Sequence, residues 1–361
     1  MASKFLNWRA INVSSMRIAH VAPVIYPVPP TTYGGTERVI ADLAAAQRAA
    51  GHDITLFAPL DSNLSGMEIL GTDRSLVWHQ DHAGGSLPPG FPAQLEARQI
   101  ADLVTHAGGY DAIHLHGSAH ASGVCAALGL PTFRTIHWRA DEADHIHHFS
   151  AFPDERVIAI SHRQARDVPA PNLAGVVHHG IPLERYSLGS GERTYLAFIG
   201  RMTDQKRPDR AIRLGERAGL PVRLAGPVDP GNPRYFADVV QPRLNDRTTY
   251  AGSLTDAEKQ GFFAHASALV FPIDWPEPFG LVMIEAMACG TPVIAWNEGS
   301  VSEIVEDGVT GIVVRSTDEA LARMDEVAAL DCAIIRQRFE ARFSAGRMAR
   351  EVTALYGRNA L

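Results

Sequence analysis

The chain has 361 residues, 46% hydrophobic and 20% charged, and its 40 Asp and Glu outweigh 33 Lys and Arg to leave a net charge of −7. That length exceeds what one hydrophobic core serves, so two domains of a globular protein are expected. The acidic balance argues against a nucleic-acid or anionic-membrane surface, no run of eighteen apolar residues offers a transmembrane helix, and three scattered cysteines make no disulfide framework.

Met1 to Ser15 lacks an apolar h-region, so it reads as an extension rather than a signal peptide, and a reduced, cytoplasmic protein is expected. From Arg17 onward, short β-branched runs alternate with helix-length stretches, the pattern of βα units and parallel sheets. Strands are expected at Arg17–Ala22, Asp53–Ala58, Ala112–Leu115, Thr132–Ile136, Arg156–Ile160 and Gly175–Val177. Between them, helices are expected at Thr36–Ala50, Gln94–His106, Ser118–Leu128 and Ser161–Asp167, with Leu60–Pro92 irregular or partly a hairpin. Gly180–Arg193, with Pro182, Gly189 and Gly191, reads as a linker.

The pattern then restarts. Strands are expected at Tyr195–Ile199, Val222–Leu224, Thr248–Tyr250, Ala268–Phe271, Val293–Ala295 and Ile312–Val314. Helices are expected at Asp209–Arg217, Asp256–Ala264, Leu281–Cys289, Ser302–Glu306, Asp318–Leu330 and, with breaks, from Ala333 to Tyr356. The halves differ in chemistry. Fifteen of sixteen histidines precede residue 180, and lysine occurs only as Lys4, Lys206 and Lys259.

The most informative segment runs from Glu277 to Ala295. Between Leu281 and Cys289 the only polar side chain is Glu285. A helix apolar on all faces is buried, and a buried carboxylate needs a partner or is forced neutral. Glu277 lies between Pro276 and Pro278, hence in the preceding loop. The two carboxylates bracket Phe279-Gly280-Leu281, whose N–H groups open the helix and suit an anion.

Nineteen consecutive positions here resemble the E-x7-E signature of retaining, nucleotide-sugar-dependent glycosyltransferases with the GT-B fold, family 4 in particular. The resemblance covers roughly Met16 to the C-terminus and implies an α/β fold with two doubly wound Rossmann-like domains facing a cleft. It implies an N-terminal acceptor-side domain over 1–182, a donor-binding domain over 183–342 and a helix over 343–357 crossing back to the first. Glu277 would face the donor sugar, Glu285 the nucleotide ribose, and the Phe279, Gly280 and Leu281 backbone the sugar and diphosphate.

Other segments fit the same resemblance. Gly200-Arg201-Met202-Thr203-Asp204-Gln205-Lys206 resembles the family's G-R-x4-K, in which Arg201 and Lys206 would clamp the diphosphate. Fixed cations stabilise the charge that develops on a leaving diphosphate, so no metal or other cofactor is expected. Tyr33-Gly34-Gly35 opens a helix after the first strand; the glycines would approach the diphosphate, with Tyr33 on the acceptor side. Ile113-His114-Leu115-His116 resembles a strand ending in H-x-H, its last histidine contacting the donor sugar, and His137 ends another strand at the border of the site, on its acceptor side. The loops at Gly226 and Gly252 would edge the nucleobase. His145, His147 and His148 lack metal-site spacing and read as a polar acceptor-side loop.

Three departures touch the interdomain side and the acceptor region: Ser302 where the family's G-S-V-P-E has proline, Glu298 where arginine is common, and His179 where Asn-Gly-Ile is usual. The expected reaction is front-face transfer from a nucleoside-diphosphate sugar (UDP first, GDP second) to an acceptor hydroxyl that the sequence does not name. A GT-B phosphorylase or nucleotide-sugar epimerase, and a non-catalytic sugar-binding protein, are the alternatives.

Overall fold

The computed structural model describes residues 15–31, 34–117 and 119–358. Two parallel sheets carry the chain. The first has seven strands: β1 (Arg17–Val21), β2 (Asp53–Phe57), β3 (Glu68–Leu70), β4 (Ala112–Leu115), β5 (Thr132–Thr135), β6 (Arg156–Ala159) and β7 (Leu173–Val176), in the order β3-β2-β1-β4-β5-β6-β7. The second has six: β8 (Tyr195–Ile199), β9 (Val222–Ala225), β10 (Thr248–Tyr250), β11 (Ala266–Phe271), β12 (Val293–Trp296) and β13 (Gly311–Val314), in the order β10-β9-β8-β11-β12-β13. The strand order reverses between β1 and β4 in one sheet and between β8 and β11 in the other. Crevices beyond the carboxyl ends of such strands are where open α/β sheets bind ligands.

The strands are near-continuous apolar runs because helices cover both faces. Leu196, Ala197, Ala268, Leu269 and Val270 are fully buried in the centre of the second sheet. The helix Ala345–Arg358 belongs by packing to the first sheet. It lies on the helix Gly35–Ala49 and buries Met348, Val352, Leu355 and Tyr356 among Met16, Ile18, Val39 and Leu43. Gly175 in β7 makes room for it, since a Cβ there would stand 2.9 Å from Leu355. No described helix is long and apolar enough to cross a membrane.

Four differences from expectation have local causes. The stretch expected to be irregular contains β3, a three-residue edge strand too short to show a period, and the helix Leu76–His82, capped by Ser75. The third helix begins at Phe91, because Pro92 occupies the first turn rather than ending a loop. Asp318–Leu330 breaks at Arg323 into Thr317–Ala322 and Met324–Ala328. His145, His147 and His148 lie on a helix, Ala143–Ala151, not in a loop. Its inner face is made by Phe149 and by His148, whose ring bonds half-buried Glu155.

Candidate active site

The loop after β11 leads into the helix Leu281–Ala288, and Gly280 makes the turn at φ 82°. Only glycine fits that turn, because a Cβ would lie 2.8 Å from Met283 and 3.0 Å from Phe271. Met283, Ile284, Ala286 and Met287 are fully buried, and Glu285 among them is only 2% exposed. Its carboxylate is received by Lys259, whose Nζ donates to Oε1 at 2.9 Å and Oε2 at 3.2 Å from the neighbouring helix Asp256–Ala264. Glu277 has a matching arrangement: Lys206 Nζ and Trp275 Nε1, the latter at 2.8 Å, both donate to its Oε2. The Lys206 ammonium also stands 4.7 Å from the Trp275 ring centroid. Two of the three lysines therefore pair with the two carboxylates of the signature. The scarcity of lysine is the one sequence signal that points to Lys259.

Gly299 and Ser300 hold the Glu277 loop. Gly299 adopts φ 59° with its would-be Cβ 2.3 Å from the Glu277 carbonyl oxygen, and Ser300 donates its N–H to that oxygen at 3.0 Å and its hydroxyl to Phe279 O at 3.0 Å. Arg201 follows β8, with one guanidinium nitrogen 4.0 Å from Asp229 and its centre 6.0 Å from the Trp138 ring. Gly226, at φ 124°, packs on the Gly200 backbone, where a Cβ would lie 2.0 Å from Gly200 O. Its own N–H donates to Gly252 O at 2.8 Å, joining the turns after β8, β9 and β10.

Across the cleft, Gly34 and Gly35 open the helix Gly35–Ala49, and a Cβ at Gly35 would touch Leu281 at 3.6 Å. The glycine turn thus meets the helix start carrying the carboxylate signature. Tyr33, expected on the acceptor side, lies outside the described residues. Burial lifts the Glu37 carboxyl to about 7, which reduces the negative charge the glycine turn presents to an anion. An ion-pair chain closes the cleft behind this contact. Arg38 pairs with Asp256, Asp256 lies 3.7 Å from Lys259, and Arg185 donates to Asp42 at 2.8 Å. On the other side Glu303 accepts the N–H groups of His162 and Arg163 at 2.6 Å each, as well as the His178 ring.

The histidines form a buried, hydrogen-bonded row. Gln47 Nε2 donates to Thr353, so its oxygen accepts from His20 Nε2 at 2.7 Å, leaving His20 Nδ1 to accept from His116 Nε2 at 2.9 Å. His116 Nδ1 then accepts from His137 Nε2 at 3.0 Å. Burial holds His20 at about 4 and His137 at about 3, and drives His114, His116 and His179 well below the usual histidine range, so the row is neutral. His116, expected to reach the donor sugar, is 5% exposed and has both ring nitrogens engaged inside the protein. As it stands it has no ring nitrogen left for a ligand. His137 does: among the described residues its Nδ1 makes no hydrogen bond. His179, one of the departures from the family pattern, stacks on His137 at 5.3 Å and meets Phe279 edge-on at 5.0 Å, bridging the two halves. Among the described residues, His20, His114 and His116 are close enough to share a metal ion, yet every one of their ring nitrogens already has a hydrogen-bond partner.

Two family models divide the chain as the sheets do: Glycosyltransferase Family 4 matches residues 33–185, and Glycosyl transferases group 1 matches residues 182–340. The chain belongs to the family 4-type glycosyltransferases. Its architecture is that of the GT-B glycosyltransferases. A D-inositol 3-phosphate glycosyltransferase of Streptomyces bingchenggensis is 32% identical over 191 residues, 44% of this chain and 42% of that one, so the match spans less than half of this relative's length. A phosphatidyl-myo-inositol mannosyltransferase of Propionibacterium freudenreichii is 25% identical over 85% of this glycosyltransferase and 84% of its own length. Among solved structures, a glycosyltransferase involved in avilamycin A biosynthesis shares the fold with a TM-score of 0.71 at 22% identity, covering 96% of this chain and 98% of that one. Anabaena HepE in complex with UDP-glucose shares it with a TM-score of 0.71 at 18% identity, covering 95% and 100%.

Proposed function

We propose that this glycosyltransferase transfers a sugar, with retention and without a metal ion, from a nucleoside-diphosphate sugar to an acceptor hydroxyl. The observation that carries this reading is the pair of lysine–carboxylate contacts, Lys206–Glu277 and Lys259–Glu285, flanking a helix start that the glycine turn meets from across the cleft. A donor would replace the first contact with its own groups: hydroxyls of the sugar on Glu277, diphosphate oxygens on Lys206 and Arg201. Two fixed cations and the helix N–H groups supply the stabilisation that a divalent ion provides elsewhere. Glu285, held by Lys259, would accept the ribose hydroxyls, and His137 Nδ1 is the histidine nitrogen best placed for the sugar.

Front-face transfer is favoured because Glu277, assigned to the sugar hydroxyls and bonded to Trp275 Nε1, is engaged in holding the donor, which leaves no residue to name as a covalent nucleophile. The departing phosphate oxygen would then take the acceptor proton. A UDP-sugar is the first candidate donor, in keeping with the UDP-glucose complex of HepE, and a GDP-sugar the second. The names of the two relatives point to inositol-containing acceptors.

The test starts with a thermal-shift screen of UDP-, GDP-, ADP- and TDP-sugars, followed by nucleoside-diphosphate release with and without acceptor, in EDTA. Acceptor-dependent release that survives chelation is expected, and Lys206→Ala should cut turnover at least about a hundredfold, as loss of one transition-state donor is worth ~3 kcal/mol. Near-normal turnover of that variant, or a strict metal requirement, would overturn the clamp.

A further inference from the structure

Trp138 is 41% exposed, yet it is held more firmly than a surface tryptophan needs to be. Buried Gln164 donates through Nε2 to the carbonyls of Ile136 at 2.9 Å and Trp138 at 2.6 Å, while its own oxygen accepts the Ile160 N–H at 2.9 Å. The backbone beyond β5 is thereby fixed to the helix His162–Ala165. The indole is fixed as well, because its Nε1–H donates to Glu142 Oε1 at 3.0 Å. Its ring centroid lies 5.0 Å from that of Trp275, the residue that donates to Glu277 and lies under Lys206. An oriented, part-exposed indole therefore stands on the N-terminal wall, with the Arg201 guanidinium centre 6.0 Å from its ring and the carboxylate assigned to the donor sugar one ring away.

Its rim is polar. Glu142 lies at the indole edge, and the Arg139–Asp141 ion pair, bonded at 2.8 Å, follows directly in the chain. An aromatic face attracts the electropositive C–H groups of a ligand, and the area it covers is removed from water. A six-membered polyhydroxylated ring has the complementary shape: one face of axial C–H bonds for the indole, and hydroxyls around its edge for the carboxylates. An acyl chain at the same place would gain the apolar contact but press against charged groups that need water. Because the indole is already oriented, ring binding costs little side-chain entropy.

We propose that Trp138 is the stacking platform of the acceptor subsite, and that the acceptor presents a cyclic polyol, a pyranose or cyclitol ring, to it. The proposal rests on reading the cleft as the transferase site. Saturation-transfer NMR on the full chain with UDP present tests it, using methyl α-D-glucopyranoside and myo-inositol as ring probes and sorbitol as an open-chain polyol. The ring probes should bind through the C–H protons of one face, sorbitol should not, and Trp138→Ala should weaken ring binding at least about tenfold, with partial rescue in Trp138→Phe. Equal ring binding in Trp138→Ala, or sorbitol binding as well as the rings, would overturn the platform. So would an equal loss of UDP affinity by calorimetry, which would make the tryptophan a wall of the donor site. Wild-type protein that binds none of UDP, GDP, ADP and TDP would instead bring down the donor reading, and the platform with it.

Discussion

Lys259 is the residue whose removal reports most directly on the signature helix. Glu285 sits 2% exposed among Met283, Ile284, Ala286 and Met287, and Lys259 bonds both of its carboxylate oxygens. Lys259→Met keeps the apolar stem and deletes the charge, leaving a buried carboxylate without its cation. Breaking a buried ion pair from one side costs roughly 3–5 kcal/mol. For a domain of 150–250 residues that is on the order of 6–20 °C in melting temperature. Denaturant unfolding of wild type, Lys259→Met and Lys259→Met/Glu285→Met at pH 7.5 provides the comparison. The double variant should recover much of the lost stability, since replacing both members of a buried pair with apolar groups is often neutral. A Lys259→Met protein as stable as wild type, or a double variant no more stable than Lys259→Met, would refute the reasoning.

Three further outcomes are expected. Burial pushes the Glu155 carboxyl up, but the His148 hydrogen bond, the Arg134 charge and the Ser122 hydroxyl outweigh it and lower its pKa from 4.5 to about 2. A depressed carboxyl pKa contributes stability above the unfolded value that is lost as pH falls toward the folded one, here between about 4.5 and 2. Glu155→Gln should therefore lose roughly 3 kcal/mol at pH 7 and show a flatter acid limb in pH-dependent unfolding. His116→Phe strands one ring nitrogen on buried His20 and one on half-buried His137, and should cost about 1–3 kcal/mol for the first and less for the second in urea unfolding. His137→Ala should instead lower kcat/KM on the order of tenfold with a smaller change in stability; large loss of turnover in a fully stable His116→Phe would return the sugar contact to His116.

Much of the architecture was legible because it is written locally. Runs such as Tyr195–Ile199 and Ala112–Leu115 announce buried strands by their continuous apolar content, and the structure places β8 and β4 over the same residues. The same local logic fails for β3, whose three residues are strand only because β2 offers them an edge, and for the helix Ala143–Ala151, whose polar residues order by burying His148 against Glu155.

The sequence by itself determined that a helix with one polar residue must hide a carboxylate, that this carboxylate needs a partner, and that a proline-flanked glutamate must precede it in a loop. Those conclusions follow from desolvation and backbone sterics, which act on neighbours in the chain. Which group answers Glu285, and which histidine has a free nitrogen, were decided only in three dimensions. Lys259 lies 26 residues from Glu285, and His116 is engaged by His20 and His137, 96 and 21 residues away. A hydrogen bond depends on the distance and direction between atoms in space, and the packing of the sheets and their helices sets both.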